Sequence, residues 1–174
     1  GQDRPPPERR AINAAITAEL NCRLSSAFGT LLTDSFCGFK AYRVSSLRKL
    51  RPSVNGYAFP MQFWVQAAAA GLRVCELPVK LIYNDPNRTF GALLDDAQVR
   101  LAHYRTVLHR EILRRAEYLP KVAFAGLIDG AHAECCKGAG EAPTPRDDQS
   151  CRGTWSRESA RRDQGRDRPG RRDR

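Results

Sequence analysis

Several common sequence features are missing from this chain of 174 residues. No apolar run approaches the ~20 residues that a membrane-spanning helix needs, and no secretory leader pattern opens the chain. None of the six cysteines forms a CxxC pair, which argues against a zinc–thiolate site. We therefore expect a cytoplasmic protein with no metal site of its own. Three cysteines have apolar or small neighbours, and we expect them to be reduced, buried thiols: Cys22, Cys37 and Cys75.

Positive charge is in excess. The chain has 29 Lys and Arg against 19 Asp and Glu, a net charge of +10. Such a balance favours an anionic partner, which can be nucleic acid, phospholipid or a phosphorylated small molecule. Charge alone does not choose among the three. The strands of RNA-recognition modules interleave aromatic and basic residues, and this chain lacks that pattern, so nucleic acid is the less favoured partner.

Composition divides the chain into four parts. Residues 1–7 contain three prolines and are expected to be an extended entry segment. Residues 8–119 have the apolar periodicity of a folded domain, and residues 120–136 are a short apolar extension. Residues 137–174 are rich in Arg, Asp, Gly, Pro and Ser and have almost no aliphatic side chains. Because such a segment cannot offset its ordering entropy by burial, we expect a disordered basic tail.

The apolar pattern predicts several helices and one strand. Residues 8–28 have apolar side chains at four-residue steps, which indicates a helix that Gly29 ends. A short helix at 44–50, a buried helix that begins near Pro60 and ends at Gly71, and a helix of ~35 Å at 93–115 are also predicted. Residues 72–84 alternate as a strand does, so an α/β fold rich in helices is expected.

The stretch TDSFCGFKAYR, residues 33–43, carries the candidate chemistry. Small residues in it allow a tight turn and a close backbone approach, and two aromatic residues are expected to anchor that turn to a core. Asp34 is then held at a fixed place on the rim of the domain, where a carboxylate can act. The small residues are Ser35, Cys37 and Gly38, and the aromatic anchors are Phe39 and Tyr42.

Three segments in this order resemble the C-terminal half of family 2 glycosyltransferases, closest to the polyprenyl- and dolichyl-phosphate mannosyltransferases. The first is an Asp-x-x-(Ser/Cys)-Gly-Phe turn, matched by Asp34, Cys37, Gly38 and Phe39. The second is a Glu-(Leu/Val)-Pro-(Val/Phe) strand, matched by Glu76, Leu77, Pro78 and Val79. The third is an arginine loop, matched in part by Arg88, Thr89, Phe90 and Gly91. Ala92 and Leu93 stand where this loop usually has serine and lysine.

The resemblance implies part of a GT-A domain, the nucleotide-diphospho-sugar transferase fold, without its N-terminal donor-binding half. A complete enzyme of this class holds Mg²⁺ or Mn²⁺ with an Asp-x-Asp motif, which neutralises the leaving diphosphate. The chain has no such motif, since Asp95-Asp96 lies in a helical context and Asp147-Asp148 in the tail. We therefore expect an acceptor-side fragment that is inactive alone. The complete enzyme would use a nucleotide-sugar donor and a lipid-phosphate acceptor, with peripheral membrane association.

Each candidate residue has two interpretations. Asp34 is either an acceptor-side catalytic carboxylate or a turn residue that accepts backbone N–H groups. Arg88 is either a phosphate clamp or a surface arginine, while Arg23 and Lys40 either bind phosphate or are solvated. We expect Glu76 to pair with a nearby cation, and we interpret Pro78 and Gly91 as parts of the structural motifs. The alternative function for the whole chain is a non-catalytic basic module that binds nucleic acid or an anionic membrane surface.

Overall fold

The described part of the chain is built from helices. A computed structural model describes residues 5–79 and 89–127. Within these two ranges there is no β-strand. The α-helices are α1 (Pro7–Phe28), α2 (Val44–Leu47), α3 (Phe59–Ala69), α4 (Ala97–Arg114) and α5 (Lys121–Phe124), and the 3-10 helices are Gly56–Ala58, Ala92–Asp95 and Ala116–Tyr118.

Helix α1 forms one wall of the core. Its predicted apolar stripe is confirmed, because the side chains that recur at four-residue steps are all buried: Ile12, Ile16, Leu20 and Leu24. The helix ends at Gly29, which has φ 68° and donates its N–H to Ser25 O at 2.8 Å. A glycine adopts this left-handed conformation without the steric cost that other residues meet. The prediction of both the helix and its end from sequence is thus confirmed.

Helix α3 runs through the centre of the core. Every side chain from Met61 to Ala68 is buried, so the helix has no solvent-exposed face over two turns. Its end is a Schellman motif, in which Leu72 N–H bonds to Ala67 O and Gly71 N–H bonds to Ala68 O. Gly71 has φ 64°, as this motif requires. The predicted boundaries of this helix are correct to within one residue.

Helix α4 begins one turn later than the sequence pattern indicates. Asp96 is its N-cap, and the carboxylate accepts the N–H groups of Gln98 and Val99 at 2.8 and 2.9 Å. Apolar periodicity does not show such a start, because the residues just before the cap form a 3-10 helix with similar spacing. The 18 residues of α4 span about 27 Å, less than the predicted length. Helix α2 is also shorter than predicted and ends at Leu47.

A buried polar network joins α3 to α4. The Glu111 carboxylate on α4 accepts hydrogen bonds from Gln62 and Gln66 on α3 at 3.0 and 2.9 Å. The same two glutamines also bond to the backbone of Arg51 and Ser53. Burying polar side chains requires such complete pairing. The network therefore attaches the segment after α2 to the middle of the core.

Residues 72–79 do not form the predicted strand. This described part of the predicted 72–84 strand has no regular secondary structure, and the remainder lies outside the described residues. A strand is defined by ladder hydrogen bonds to a neighbour, and the described residues contain no second strand to pair with. Alternating apolar and polar residues suit a strand in a sheet, but they do not supply the neighbouring strand with which it would pair. The described residues therefore form a helix-rich fold.

The cysteines differ from expectation. Cys37 is a free thiol, as predicted, but it is half-buried rather than buried. Cys22 and Cys75, however, are disulfide-bonded rather than reduced, and neither is fully buried. The prediction for these two is therefore wrong. Sequence spacing identifies local cysteine pairs such as CxxC, whereas disulfides between distant segments depend on the tertiary fold.

Candidate functional site

The loop that follows α1, residues 33–40, is fixed to two helices at Ser35. The Ser35 side chain is fully buried, and its hydroxyl lies 2.8 Å from that of Thr17 on α1. Its carbonyl accepts a 2.8 Å hydrogen bond from the indole N–H of Trp64 on α3. Because each of these buried groups has its partner here, displacing the loop would leave several polar atoms unpaired. The loop is therefore a firm support for its neighbour Asp34.

Phe36 is the aromatic anchor of this loop. Its ring packs on Tyr104 of α4, with centroids 5.2 Å apart. Phe39 is 82% exposed, so the prediction that it anchors the turn is wrong. The bond between Trp64 and Ser35 draws the chain inward at Ser35, and the core contact falls on the next residue. Tyr42 does reach the core, because its ring packs on that of Phe63 with centroids 5.6 Å apart. The residue is nevertheless 45% exposed.

Gly38 is not required by the packing of the loop. A Cβ atom built on it would meet nothing within 4 Å, and its φ lies outside the left-handed region. The close backbone approach that we predicted here is thus absent among the described residues. The neighbouring Cys37 thiol points along the loop and contacts Phe39 O at 3.7 Å. Any need for glycine at 38 would have to come from a bound molecule rather than from the fold.

Asp34 lies on the exposed rim of the loop. Its Oδ1 accepts the N–H of Phe36 at 2.8 Å, which is the side-chain turn expected from the structural interpretation. Its Oδ2 makes no hydrogen bond to any residue that the structure describes. The structural interpretation is therefore satisfied by one oxygen, and the other remains accessible to a ligand. Both roles predicted for Asp34 are compatible with this geometry.

Glu76 joins the second motif segment to the first. Its carboxylate accepts the N–H of Thr33 at 2.9 Å and that of Asp34 at 3.4 Å. Glu76 thus caps the backbone of the Asp34 loop from a segment more than 40 residues away. Leu77 and Pro78, which follow it, are exposed. The ion pair that we expected for Glu76 is absent among the described residues, where its carboxylate bonds to backbone N–H groups instead.

Lys40 lies over the inner side of the same loop. The ammonium group is 5.4 Å from the Trp64 ring, a cation–π arrangement, and it donates a hydrogen bond to Cys37 O. Burial lowers the pKa of Lys40, and the nearby Cys37, Asp34 and Glu76 oppose that decrease. One of the two interpretations of Lys40 was a solvated side chain, and this environment does not agree with it. The ammonium group is held against Trp64 and the carbonyl of Cys37, with the charges of Asp34 and Glu76 near enough to affect its pKa.

The third motif segment is anchored at Phe90. Two guanidinium groups lie over its ring, with the Cζ atoms of Arg9 and Arg100 at 4.5 and 4.3 Å from the ring centroid. Asp95 accepts the N–H groups of Phe90 and Gly91 at 2.7 and 3.2 Å, and Gly91 has φ 88°. The structural role predicted for Gly91 agrees with this left-handed turn. Arg88, the predicted phosphate clamp, lies outside the described residues.

Arg23 does not face solvent. It is 7% exposed, and its guanidinium donates to Glu19 on α1 and to the carbonyls of Ala123 and Ala125 at the end of α5. With its donors directed at these groups, Arg23 holds α5 against α1. This placement gives it a structural task and does not favour the predicted phosphate role. The sequence signal for it was the four-residue spacing from Glu19, which allows an ion pair on one helix face.

Glu19 is the centre of an ion cluster that sequence reasoning missed. Besides Arg23, it contacts Arg105 at 3.0 Å and His109, both on α4. Burial alone would raise the pKa of Glu19, but the hydrogen bonds and charges of His109 and Arg105 lower it to about 2. The carboxylate therefore stays ionised inside the helix interface. Arg105 and His109 come from a distant helix, so only the pair with Arg23 could have been identified from local spacing.

The described residues do not offer a divalent-cation site. No group of three or more His, Cys, Asp or Glu side chains is close enough there to hold a metal ion. Asp95 and Asp96 use their carboxylates to cap backbone N–H groups. Mg²⁺ prefers several oxygen ligands with octahedral geometry, which this arrangement does not provide. The metal implied by the resemblance is therefore not assigned to any of these residues.

We compared the chain with protein-family models, with curated proteins and with solved structures. No match was found in any of the three. The glycosyltransferase resemblance consequently rests on the three short motifs alone. In the part of the chain that the structure describes, no helix is long and apolar enough to cross a lipid bilayer.

Proposed function

We propose that the chain forms the acceptor side of a family 2 glycosyltransferase site, for transfer of a sugar from a nucleotide-sugar donor to a polyprenyl phosphate or a related lipid phosphate. The observation that carries this proposal is the contact between Glu76 and the backbone of Thr33 and Asp34. Two of the three motifs that resemble the family meet at this contact. Chance similarity gives no reason for short motifs to be adjacent in space, whereas a shared site does.

The roles follow from the chemistry of the loop. Asp34 has one carboxylate oxygen without a hydrogen bond in the described structure, on a loop that α1 and α3 hold in place. A carboxylate so placed can position an acceptor or accept a proton from it. Lys40 lies beside it and limits the local negative charge, which eases the approach of an anionic group. Arg88 is assigned to the acceptor phosphate, because a guanidinium matches phosphate oxygens in a bidentate manner.

Donor binding is not assigned to this chain. The sequence has no Asp-x-Asp motif, and the described residues offer no metal site in its place. The proposal therefore includes binding of the acceptor and excludes unaided turnover. Purified chain with a nucleotide sugar and Mg²⁺ should release no nucleoside diphosphate. Release that depends on metal and disappears in Asp34→Asn would contradict this part of the proposal.

Acceptor binding can be tested on the full chain with farnesyl phosphate as the probe. Trp64 reports on the loop because its indole bonds to Ser35, and a Trp155→Phe background removes the second tryptophan. We expect saturable quenching by farnesyl phosphate and none by farnesol. Asp34→Asn and Arg88→Ala should weaken binding, while Asp96→Asn, which alters a helix cap, should not. Equal binding by all of these variants, or no saturation, would contradict the proposal.

A further inference from the structure

The segment Phe39–Arg51 combines exposed apolar side chains with unopposed positive charge. In the described residues, 12 large hydrophobic side chains are exposed, and four of them fall within nine consecutive positions. Single exposed apolar residues are ordinary, but a local concentration indicates a contact surface. The four are Phe39 (82% exposed), Tyr42 (45%), Val44 (66%) and Leu47 (38%). We refer to residues 39–51 as the Phe39–Arg51 surface.

The same segment contains five basic residues and no acidic one. Three of the basic side chains are exposed and form no ion pair with any described residue: Arg43, Arg48 and Lys49. Exposed basic side chains without an ion pair to a described residue also occur elsewhere, as at Arg110 and Lys121, but the Phe39–Arg51 surface has three of them within seven positions. The Phe39–Arg51 surface is therefore a place where positive charge is left for an external anion.

This surface is attached firmly to the core at both ends. Near its start, Tyr42 packs against Phe63 of α3. At its end, Arg51 N–H donates to Gln66 Oε1 at 2.7 Å, and Gln66 is buried in the network with Glu111. Val44 and Leu47 are three residues apart on α2, so they lie on one face of that short helix. The segment that carries the apolar and basic groups is thus held to the core at two points and is not a loose loop.

We propose that the Phe39–Arg51 surface binds anionic phospholipid membranes at the headgroup level. Exposed Phe and aliphatic side chains enter the acyl boundary, while the neighbouring guanidinium and ammonium groups contact lipid phosphates. Charge complementarity selects an anionic lipid surface over a neutral one. The proposal does not depend on the glycosyltransferase assignment, because it needs neither a polyprenyl phosphate nor a sugar nucleotide.

The apolar residues distinguish a membrane from a nucleic acid. A nucleic-acid backbone is bound through its phosphates, so a loss of aliphatic side chains from the binding surface would change little. Insertion into a membrane instead uses both kinds of residue. Val44 and Leu47 are aliphatic and cannot stack on bases as aromatic side chains do. The surface therefore fits a lipid boundary better than an RNA strand.

The test is co-sedimentation of the full chain with vesicles of phosphatidylcholine that contain about a third phosphatidylserine, in roughly 0.15 M salt to limit diffuse charge effects. One variant combines Phe39→Ser with Val44→Ser, and another combines Arg48→Glu with Lys49→Glu. Matched controls are Leu93→Ser with Val99→Ser and Arg110→Glu with Lys121→Glu, which change exposed residues elsewhere. We expect both surface variants to bind at least ~10-fold more weakly, and both controls to stay within about 2-fold of the parent.

Three outcomes would overturn the proposal. The parent chain could fail to sediment with anionic vesicles. The control charge variant could weaken binding as much as Arg48→Glu with Lys49→Glu, which would show diffuse attraction by net charge. The apolar variant could bind vesicles like the parent while an RNA duplex competes for the chain, which would favour nucleic acid. Thermal melting of each variant checks folding, and Arg48→Glu alone replaces the double variant if that one melts early.

Discussion

The Glu76 carboxylate lies 2.9 Å from the backbone N–H of Thr33, and this contact joins segments 43 positions apart. A second bond of 3.4 Å, to the N–H of Asp34, places both acceptor oxygens of Glu76 on one turn. The geometry of the Asp34 loop thus depends on a residue to which we assign no chemical step. Glu76 is a positioning residue for the proposed site.

Glu76→Ala should loosen this loop. Each lost hydrogen bond contributes about 0.5–1.5 kcal/mol, and because the contact is exposed, water replaces part of it, so we expect a loss of about 1 kcal/mol in all. Hydrogen exchange at Thr33 and Asp34 should accelerate, and Glu76→Gln should recover part of the protection. Glu117→Ala is the matched control for loss of an exposed carboxylate. Unchanged exchange in Glu76→Ala would show that the contact does not hold the loop.

Thr17→Val should destabilise the same loop from its buried side. The substitution keeps the size of the side chain but removes the hydroxyl that pairs with Ser35 at 2.8 Å. A buried hydroxyl left without a partner costs about 1–3 kcal/mol. Thr106→Val on α4 is the control, because its hydroxyl bonds to Ala102 O on an exposed helix face. Urea unfolding that gives equal stabilities for the two variants would contradict the prediction.

The sequence predicted those features that depend on neighbours in the chain. The α1 stripe, the ends of helices at Gly29 and Gly71, and the buried helix after Pro60 all follow from local spacing and backbone preference. The placement of Asp34 on a supported loop was also predicted. The helices and their ends need only helix periodicity or the conformational freedom of glycine, whereas the Asp34 loop is held by long-range contacts that the sequence did not indicate.

The errors concern contacts between distant segments. Nothing near Phe36 indicates that Tyr104 packs on it, so Phe39 was taken as the anchor. Arg23 lies off the apolar stripe, and only the tertiary position of α5 shows that it is buried. The alternation of residues 72–79 suits a strand, but the described structure gives it no pairing partner. Whether a charge is buried and whether a strand is paired depend on residues that are distant in sequence, and local spacing does not identify them.

Stability should fall at acid pH because of Glu19. Its pKa is lowered in the folded chain to about 2 from an ordinary 4.5, so unfolding takes up a proton in that range. The stabilisation is complete above about pH 4.5 and is lost as pH falls toward 2. Glu19→Gln should reduce the slope of unfolding free energy against pH. The slope should not vanish, because the pKa of Glu111 is also lowered: burial raises it, but the hydrogen bonds from Gln62, Gln66 and Arg115 together with the charge of Arg114 lower it by more.

The loss of unfolding free energy in Glu19→Gln depends on the cations that this substitution leaves without their carboxylate partner. Removing one partner of a fully buried ion pair costs about 3–5 kcal/mol, and we expect the lower end because Arg105 is almost half exposed. Urea denaturation between pH 6 and pH 3, both chosen to bracket the ordinary carboxyl range, measures slope and size together. Glu117→Gln, at an exposed carboxylate outside the cluster, is the control variant. An unaltered slope in Glu19→Gln would show that the cluster does not carry the acid sensitivity.

Two glycines should respond differently to alanine. Gly71 has φ 64°, where an L-residue costs about 1–2 kcal/mol, partly offset by the lower entropy of the unfolded chain. We expect Gly71→Ala to lower the free energy of unfolding by about 1 kcal/mol. Gly38 has open space around its Cα and no left-handed φ, so Gly38→Ala should leave thermal melting unchanged. If Gly38→Ala nevertheless weakens farnesyl phosphate binding, the bound ligand rather than the fold requires the glycine. A melting shift in Gly38→Ala as large as in Gly71→Ala would contradict the argument.

Arg88 is the residue on which the proposed phosphate contact depends. The chain two residues further on is held at Phe90, whose ring contacts the guanidinium groups of Arg9 and Arg100. Asp95 also accepts hydrogen bonds from the Phe90 and Gly91 N–H groups. A charge-assisted hydrogen bond to phosphate contributes about 1.5–3 kcal/mol, so Arg88→Ala should weaken farnesyl phosphate binding about 10- to 100-fold.

Lysine should be a poor substitute at this position. It keeps the charge but lacks the planar fork that binds two phosphate oxygens, so Arg88→Lys should recover only part of the affinity. Arg110→Ala on the exposed face of α4 is the matched control and should bind like the parent. The measurement is the same Trp64 titration, with melting temperature as the check on folding. Full affinity in Arg88→Ala would remove this residue from the site, and an affinity loss that comes with a large fall in melting temperature would assign it a structural role.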